Sequence, residues 1–133
     1  MTLDVDVRAL TDTALWERIT RCARSQDMWA RQMAAANNGE RGPAYRQALV
    51  QWKEARGAYL EAMDEYDCRT LMRRYTPLSP SELDARLVAW DRRAARLAGH
   101  MRTMETDGQA WRRVHTQWQW ACLHGEAIRR LRP

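Results

Sequence analysis

Phenylalanine is absent from this 133-residue chain, lysine occurs once, at Lys53, and cysteine three times. The shortage of phenylalanine and lysine beside abundant arginine, alanine and tryptophan follows GC-rich codon usage. The arginine count alone is therefore weak evidence for phosphate binding. Cys22, Cys68 and Cys122 are odd in number and far apart, which suits reduced, packed thiols better than a disulfide framework. Four prolines and six glycines exclude collagen-like and low-complexity chains. No apolar run reaches the length of a membrane span, and the opening "MTLDVDVRAL" carries two aspartates and no signal-like core, so a cytoplasmic location is expected.

Catalytic signatures are missing as well. The chain has no glycine-rich phosphate loop, no nucleophile elbow, no His-Glu-x-x-His and no Glu-x-x-His pair for a di-iron bundle. His115 and Cys122 share a face with Trp118, and His124 lies near, but so few ligand-type residues without a complementary pair make a poor metal site. No catalytic residue, cofactor or metal is expected.

What the chain does contain is helical pattern. With 45% apolar and 29% charged residues, it has the size of one domain, 1–133, with residues 1–10 expected as a flexible lead. Thr11 reads as an N-cap between the staple residues Leu10 and Leu15, opening a helix over about 12–36. The stretch "NNGERGP" stops it, and Pro43 opens a second helix to about residue 75. In "LSPSEL", Ser79 caps, Pro80 takes the first turn, Glu82 completes a capping box, and Leu78 with Leu83 forms a staple. The third helix, about 80–105, carries a heptad seam of Leu83, Leu87, Trp90, Ala94, Leu97, Met101 and Met104, as in a coiled coil. Asp107-Gly108, with a capping box from Thr106 to Gln109, marks a break before a fourth helix over about 107–131. The seam stays in phase through Trp111 and Trp118, which is the argument for one continuous helix instead. The expected fold is all-α, an antiparallel bundle of three or four long helices.

Within the second helix, Tyr45, Trp52, Tyr59 and Tyr66 recur every seven residues, with Ala48, Ala55 and Ala62 three places behind the first three. Large rings alternating with alanine make a packing face rather than an exposed platform. A hairpin about residues 77 and 78 would set Tyr66 near Ala89 and Trp90, Tyr59 near Leu97, and Trp52 near Met101 and Met104 of the third helix.

Charge is uneven. Residues 1–67 hold 9 basic and 11 acidic residues, whereas 86–133 hold 10 and 4. On the last helix, Trp111, Val114, Trp118, Ala121, Gly125 and Ile128 form an inward stripe. Trp118 and Trp120 cannot both face that core, since residues two apart point to different sides. Trp120, His124 and Leu131, flanked by Arg112, Arg113, Arg129 and Arg130, are the candidate partner-binding residues, a tryptophan–arginine composition typical of interface hot spots. The expected function is a non-enzymatic interaction protein with a protein partner, self-associating as a homodimer, in the manner of small accessory or inhibitory proteins of phages and mobile elements. The alternative is nucleic-acid binding through Arg86, Arg92, Arg93, Arg96, Arg102, Arg112 and Arg113, without a helix-turn-helix or zinc motif to support it.

Overall fold

The computed structural model describes residues 5–37 and 42–133. Four helices account for nearly all of them: α1 (Asp12–Ala36), α2 (Pro43–Tyr75), α3 (Pro80–Met101) and α4 (Gln109–Leu131), preceded by a 3-10 turn at Val7–Ala9. The fold is all-α, and the helices pack in pairs, α1 with α2 and α3 with α4. Contacts divide the chain into two compact units at Tyr66 and Asp67; α2 contributes residues 43–66 to the first and 67–75 to the second.

The first unit begins earlier than expected. The Asp6 carboxylate accepts from the Arg8 N–H at 3.1 Å, fixing the 3-10 turn so that Val7 is buried in the core. Of the segment 1–10, expected as a flexible lead, residues 1–4 lie outside the described residues, and Val7 and Leu10 pack in the first unit. Thr11 caps α1 by accepting from the Ala14 N–H at 3.1 Å, and both staple residues, Leu10 and Leu15, lie in the cluster formed by Val7, Ile19 and Ala62 with Tyr59 and Met63. The stop after Ala36 falls at Asn37; the rest of the stop signal, residues 38–41, lies outside the described residues.

This cluster revises the expected partner of the aromatic–alanine ladder. Tyr59 and Ala62 pack on Leu15 and Ile19 of α1, where the hairpin register above assigns Tyr59 to α3. Ala48 and Ala62 are almost wholly buried, while Tyr45, Trp52 and Tyr59 are only half-buried and Tyr66 is exposed. The small residues therefore occupy the line of closest approach and the rings flank it. Such an arrangement lets two backbones come close while the rings cover the seam from its sides.

In the second unit, α3 starts with the capping box expected for it: Ser79 Oγ accepts from the Glu82 N–H at 3.2 Å, and Glu82 Oε1 accepts from the Ser79 N–H at 3.3 Å. Leu83 enters a core with Cys68, Leu71 and Tyr75 from the end of α2 and Ala127 and Ile128 from α4, with Leu78, Leu87, Trp90, Leu123 and Leu131 packed against it. None of the three cysteines is in a disulfide.

The break between α3 and α4 is present, four residues earlier than expected at the end of α3. Helix α3 stops at Met101 rather than about residue 105, leaving Met104 of the seam in the turn. Asp107 adopts a left-handed backbone, with φ at 66°, a conformation that aspartate tolerates better than most residues. Gly108 is the N-cap of α4 and has no side-chain cap bond, so the Thr106–Gln109 box does not form. Farther along α4, a Cβ at Gly125 would lie 3.4 Å from Asp91 Oδ1 and 3.8 Å from Leu87 Cδ1, both on α3. The glycine lets the two helices approach there.

Candidate partner-binding surface

The inward stripe expected on α4 is realised: Ala121, Gly125 and Ile128 are buried, and Trp111, Val114 and Trp118 are half-buried. Trp120 lies off this stripe and is 46% exposed. Its indole tilts against the imidazole of His124, ring centroids 6.0 Å apart. His124 in turn stacks on Trp90 of α3, at 4.0 Å and 13° between planes. Over Trp90 sits the guanidinium of Arg93, its Cζ 5.9 Å from the ring centroid. A continuous chain of contacts, Arg93–Trp90–His124–Trp120, therefore crosses from α3 to α4.

Tyr75, the last residue of α2, locks this chain from beneath. The Trp90 Nε1–H donates to the Tyr75 hydroxyl at 2.9 Å. An indole N–H is only a donor, so the Tyr75 oxygen accepts from it, and the same hydroxyl is hydrogen-bonded to His124 Nδ1 at 2.7 Å. Burial holds the basicity of His124 below the ordinary histidine value, and the nearby Arg74 charge lowers it further. A neutral, oriented imidazole results.

Charges on α3 segregate by helical spacing. Asp84 and Asp91, two turns apart, face α4, where Arg132 takes Asp84 at 3.1 and 3.3 Å and Arg129 takes Asp91 at 2.6 Å. Arg86, Arg93, Arg96 and His100, spaced seven, three and four, run along the other flank, the one on which Trp90 meets His124. No ion pair joins the guanidinium of Arg92, Arg93, Arg96, Arg102, Arg112 or Arg113 to any described acidic residue. The second unit holds 13 arginines and 7 acidic residues, net +6, so the first carries a net −1.

The residues expected to bind a partner do not form one patch. Trp120 is exposed, and Arg113 lies two turns before it on the same stripe of α4. Arg112 projects to a different side. Arg129 is bound to Asp91, and Arg130 bonds Glu126 at 3.2 Å. Leu131 packs against the core, and His124 braces Trp90 from within the contact chain. Sequence reasoning left Tyr75 and Trp90 out of this surface, although Arg93 three residues beyond Trp90 is a spacing that brings cation and ring together. In the first unit it also passed over Trp16, which is 55% exposed and in tilted contact with Tyr66 at 5.6 Å.

Among the described residues, no group of three or more His, Cys, Asp or Glu side chains is arranged to hold a metal ion, and no helix is long and apolar enough to cross a membrane. No protein-family model matches the chain, and neither a curated protein nor a solved structure matches it.

Proposed function

We propose that this chain is a non-enzymatic helical interaction protein that docks on a protein partner through the Trp120 surface of its second unit. The observation that carries the proposal is an exposed tryptophan in tilted contact with His124, itself stacked on Trp90, with Arg113 two turns before it on the same stripe and making no ion pair with a described acidic residue. Rigid aromatics and arginine supply much contact energy at low entropic cost and dominate interface hot spots. GC-rich codon usage accounts for many arginines, but not for an indole held out of the core on top of a hydrogen-bonded network. An accessory or inhibitory role in a reducing, cytoplasmic setting belongs to the same proposal.

The test is a pull-down from the cells that make the protein, with and without nuclease, repeated with Trp120→Ala. A protein that survives nuclease and is lost with the variant supports the proposal. Its purified form should bind the variant weaker by about 2 kcal/mol or more. Nucleic-acid binding is the second reading, favoured by the guanidinium groups of Arg92, Arg96, Arg102 and Arg112, which make no ion pair among the described residues. It requires duplex binding whose logarithm falls with log salt at about −0.9 per phosphate neutralised and that ignores Trp120→Ala.

A further inference from the structure

The Trp120 surface has a feature that selects among protein partners. Arg93 carries its guanidinium over the Trp90 ring, its Cζ 5.9 Å from the centroid, a contact that restrains the side chain. Arg96 follows three residues later on the same flank, and Arg113 lies two turns before Trp120. None of these guanidinium groups meets an acidic side chain among the described residues. On the opposite flank of α3, each aspartate that faces α4 is matched by an arginine. Both aspartates of α3 that face α4 are thus paired, whereas Arg93, Arg96 and Arg113, on the side that carries the exposed tryptophan, meet no described carboxylate.

Resting on the docking proposal above, we infer that the partner presents an acidic segment with an apolar or aromatic anchor, carboxylates meeting Arg93, Arg96 and Arg113 and the anchor covering Trp120. A planar guanidinium already restrained by a ring contact can receive a carboxylate in two parallel bonds with less further loss of freedom than a free side chain. Single-stranded nucleic acid is disfavoured by the same contacts. Base stacking needs open ring faces in succession, whereas one face of Trp90 is taken by His124 and the guanidinium of Arg93 lies over the ring. Trp120 alone remains.

A random copolymer of glutamate and tyrosine is the probe, compared with polyglutamate and with single-stranded and duplex oligonucleotides of equal charge, by fluorescence anisotropy on the full chain. The copolymer should bind more tightly than polyglutamate and weaken as salt rises. Arg96→Glu with Arg113→Glu should weaken it about tenfold or more, and Trp120→Ala by a similar factor. Thermal melts establish that these variants are folded; Arg96 and Arg113 are exposed, and neither makes an ion pair with a described acidic residue. Oligonucleotides binding more tightly than the copolymer, or copolymer binding indifferent to the substitutions, would overturn the inference. A pulled-down partner that needs Trp120 but ignores the double arginine reversal would also overturn it, leaving the docking proposal intact. Partner capture unchanged by Trp120→Ala would remove the docking proposal and this inference together.

Discussion

His124 lies flat against Trp90, ring centroids 4.0 Å apart and planes 13° apart, while its Nδ1 is hydrogen-bonded to the hydroxyl of a tyrosine that ends another helix. Three helices meet in that contact, so its chemistry bears on the stability of the second unit.

Acid should weaken it. Because the folded protein holds the His124 pKa below its ordinary value, the unfolded chain binds more protons near that value, and stability rises with pH there. The contribution is intact above the unfolded histidine pKa of about 6.5 and is lost as pH falls from there through the lowered folded value. Protonation also places a second positive charge near Arg74. Urea unfolding measured from neutral to mildly acid pH should show this slope, and His124→Gln should flatten it.

Tyr75→Phe removes the group that joins Trp90 and His124. Tyr75 is 5% exposed, so the indole N–H and the imidazole nitrogen lose a partner that water reaches poorly. The expected loss is about 1 to 3 kcal/mol in urea unfolding, together with a smaller pH slope.

The ladder in α2 makes opposite demands at its large and small positions. Ala62 is fully buried against Leu15 and Ile19, so Ala62→Leu should overfill the seam and cost about 1 to 3 kcal/mol. Trp52 is half-buried and partly covered by Arg56. Trp52→Ala should therefore cost less than the roughly 3 to 5 kcal/mol of a fully buried tryptophan. A larger loss at Trp52 than at Ala62 would show that the rings, not the alanines, define the contact.

Gly57 and Gly99 lie inside α2 and α3, and a Cβ at either would meet nothing within 4 Å. Gly57→Ala and Gly99→Ala should each stabilise the protein by about 0.5 to 1 kcal/mol, read as a higher thermal midpoint. Gly125 differs, because α3 approaches it closely; Gly125→Val should lower the midpoint.

Trp16, Met28, Val50 and Leu60 of the first unit are exposed, which motivates self-association. A dimer is expected at micromolar concentration, and sedimentation showing only monomer up to about 100 μM would remove it.

Helix starts were legible because caps are local: Thr11, Ser79 with Glu82, and Pro43 sit where short-range hydrogen bonding and fixed φ place them. The Asp107-Gly108 break and the inward stripe of α4 follow equally from one turn or one helix face. The partner of the ladder was not legible. A seven-residue repeat states that α2 has a packing face, and both α1 and α3 carry apolar stripes able to meet it. The surface around Trp120 was visible in part, since Trp118 and Trp120 must diverge on any helix. Tyr75 and His124 are 49 residues apart, a separation no local spacing encodes, so His124 read as a surface group when it is the brace between two tryptophans.

The placement of the histidines divides the seven tryptophans into two optical populations. Trp90 and Trp120 touch His124, and Trp111 and Trp118 touch His115, all within the second unit, whereas Trp16, Trp29 and Trp52 belong to the first, which contains no histidine. A protonated imidazole in ring contact quenches indole emission. Protonation of His124 as pH falls should therefore dim Trp90 and Trp120 while the first unit continues to emit, giving the unmodified protein a built-in indicator of which half a ligand or denaturant has reached.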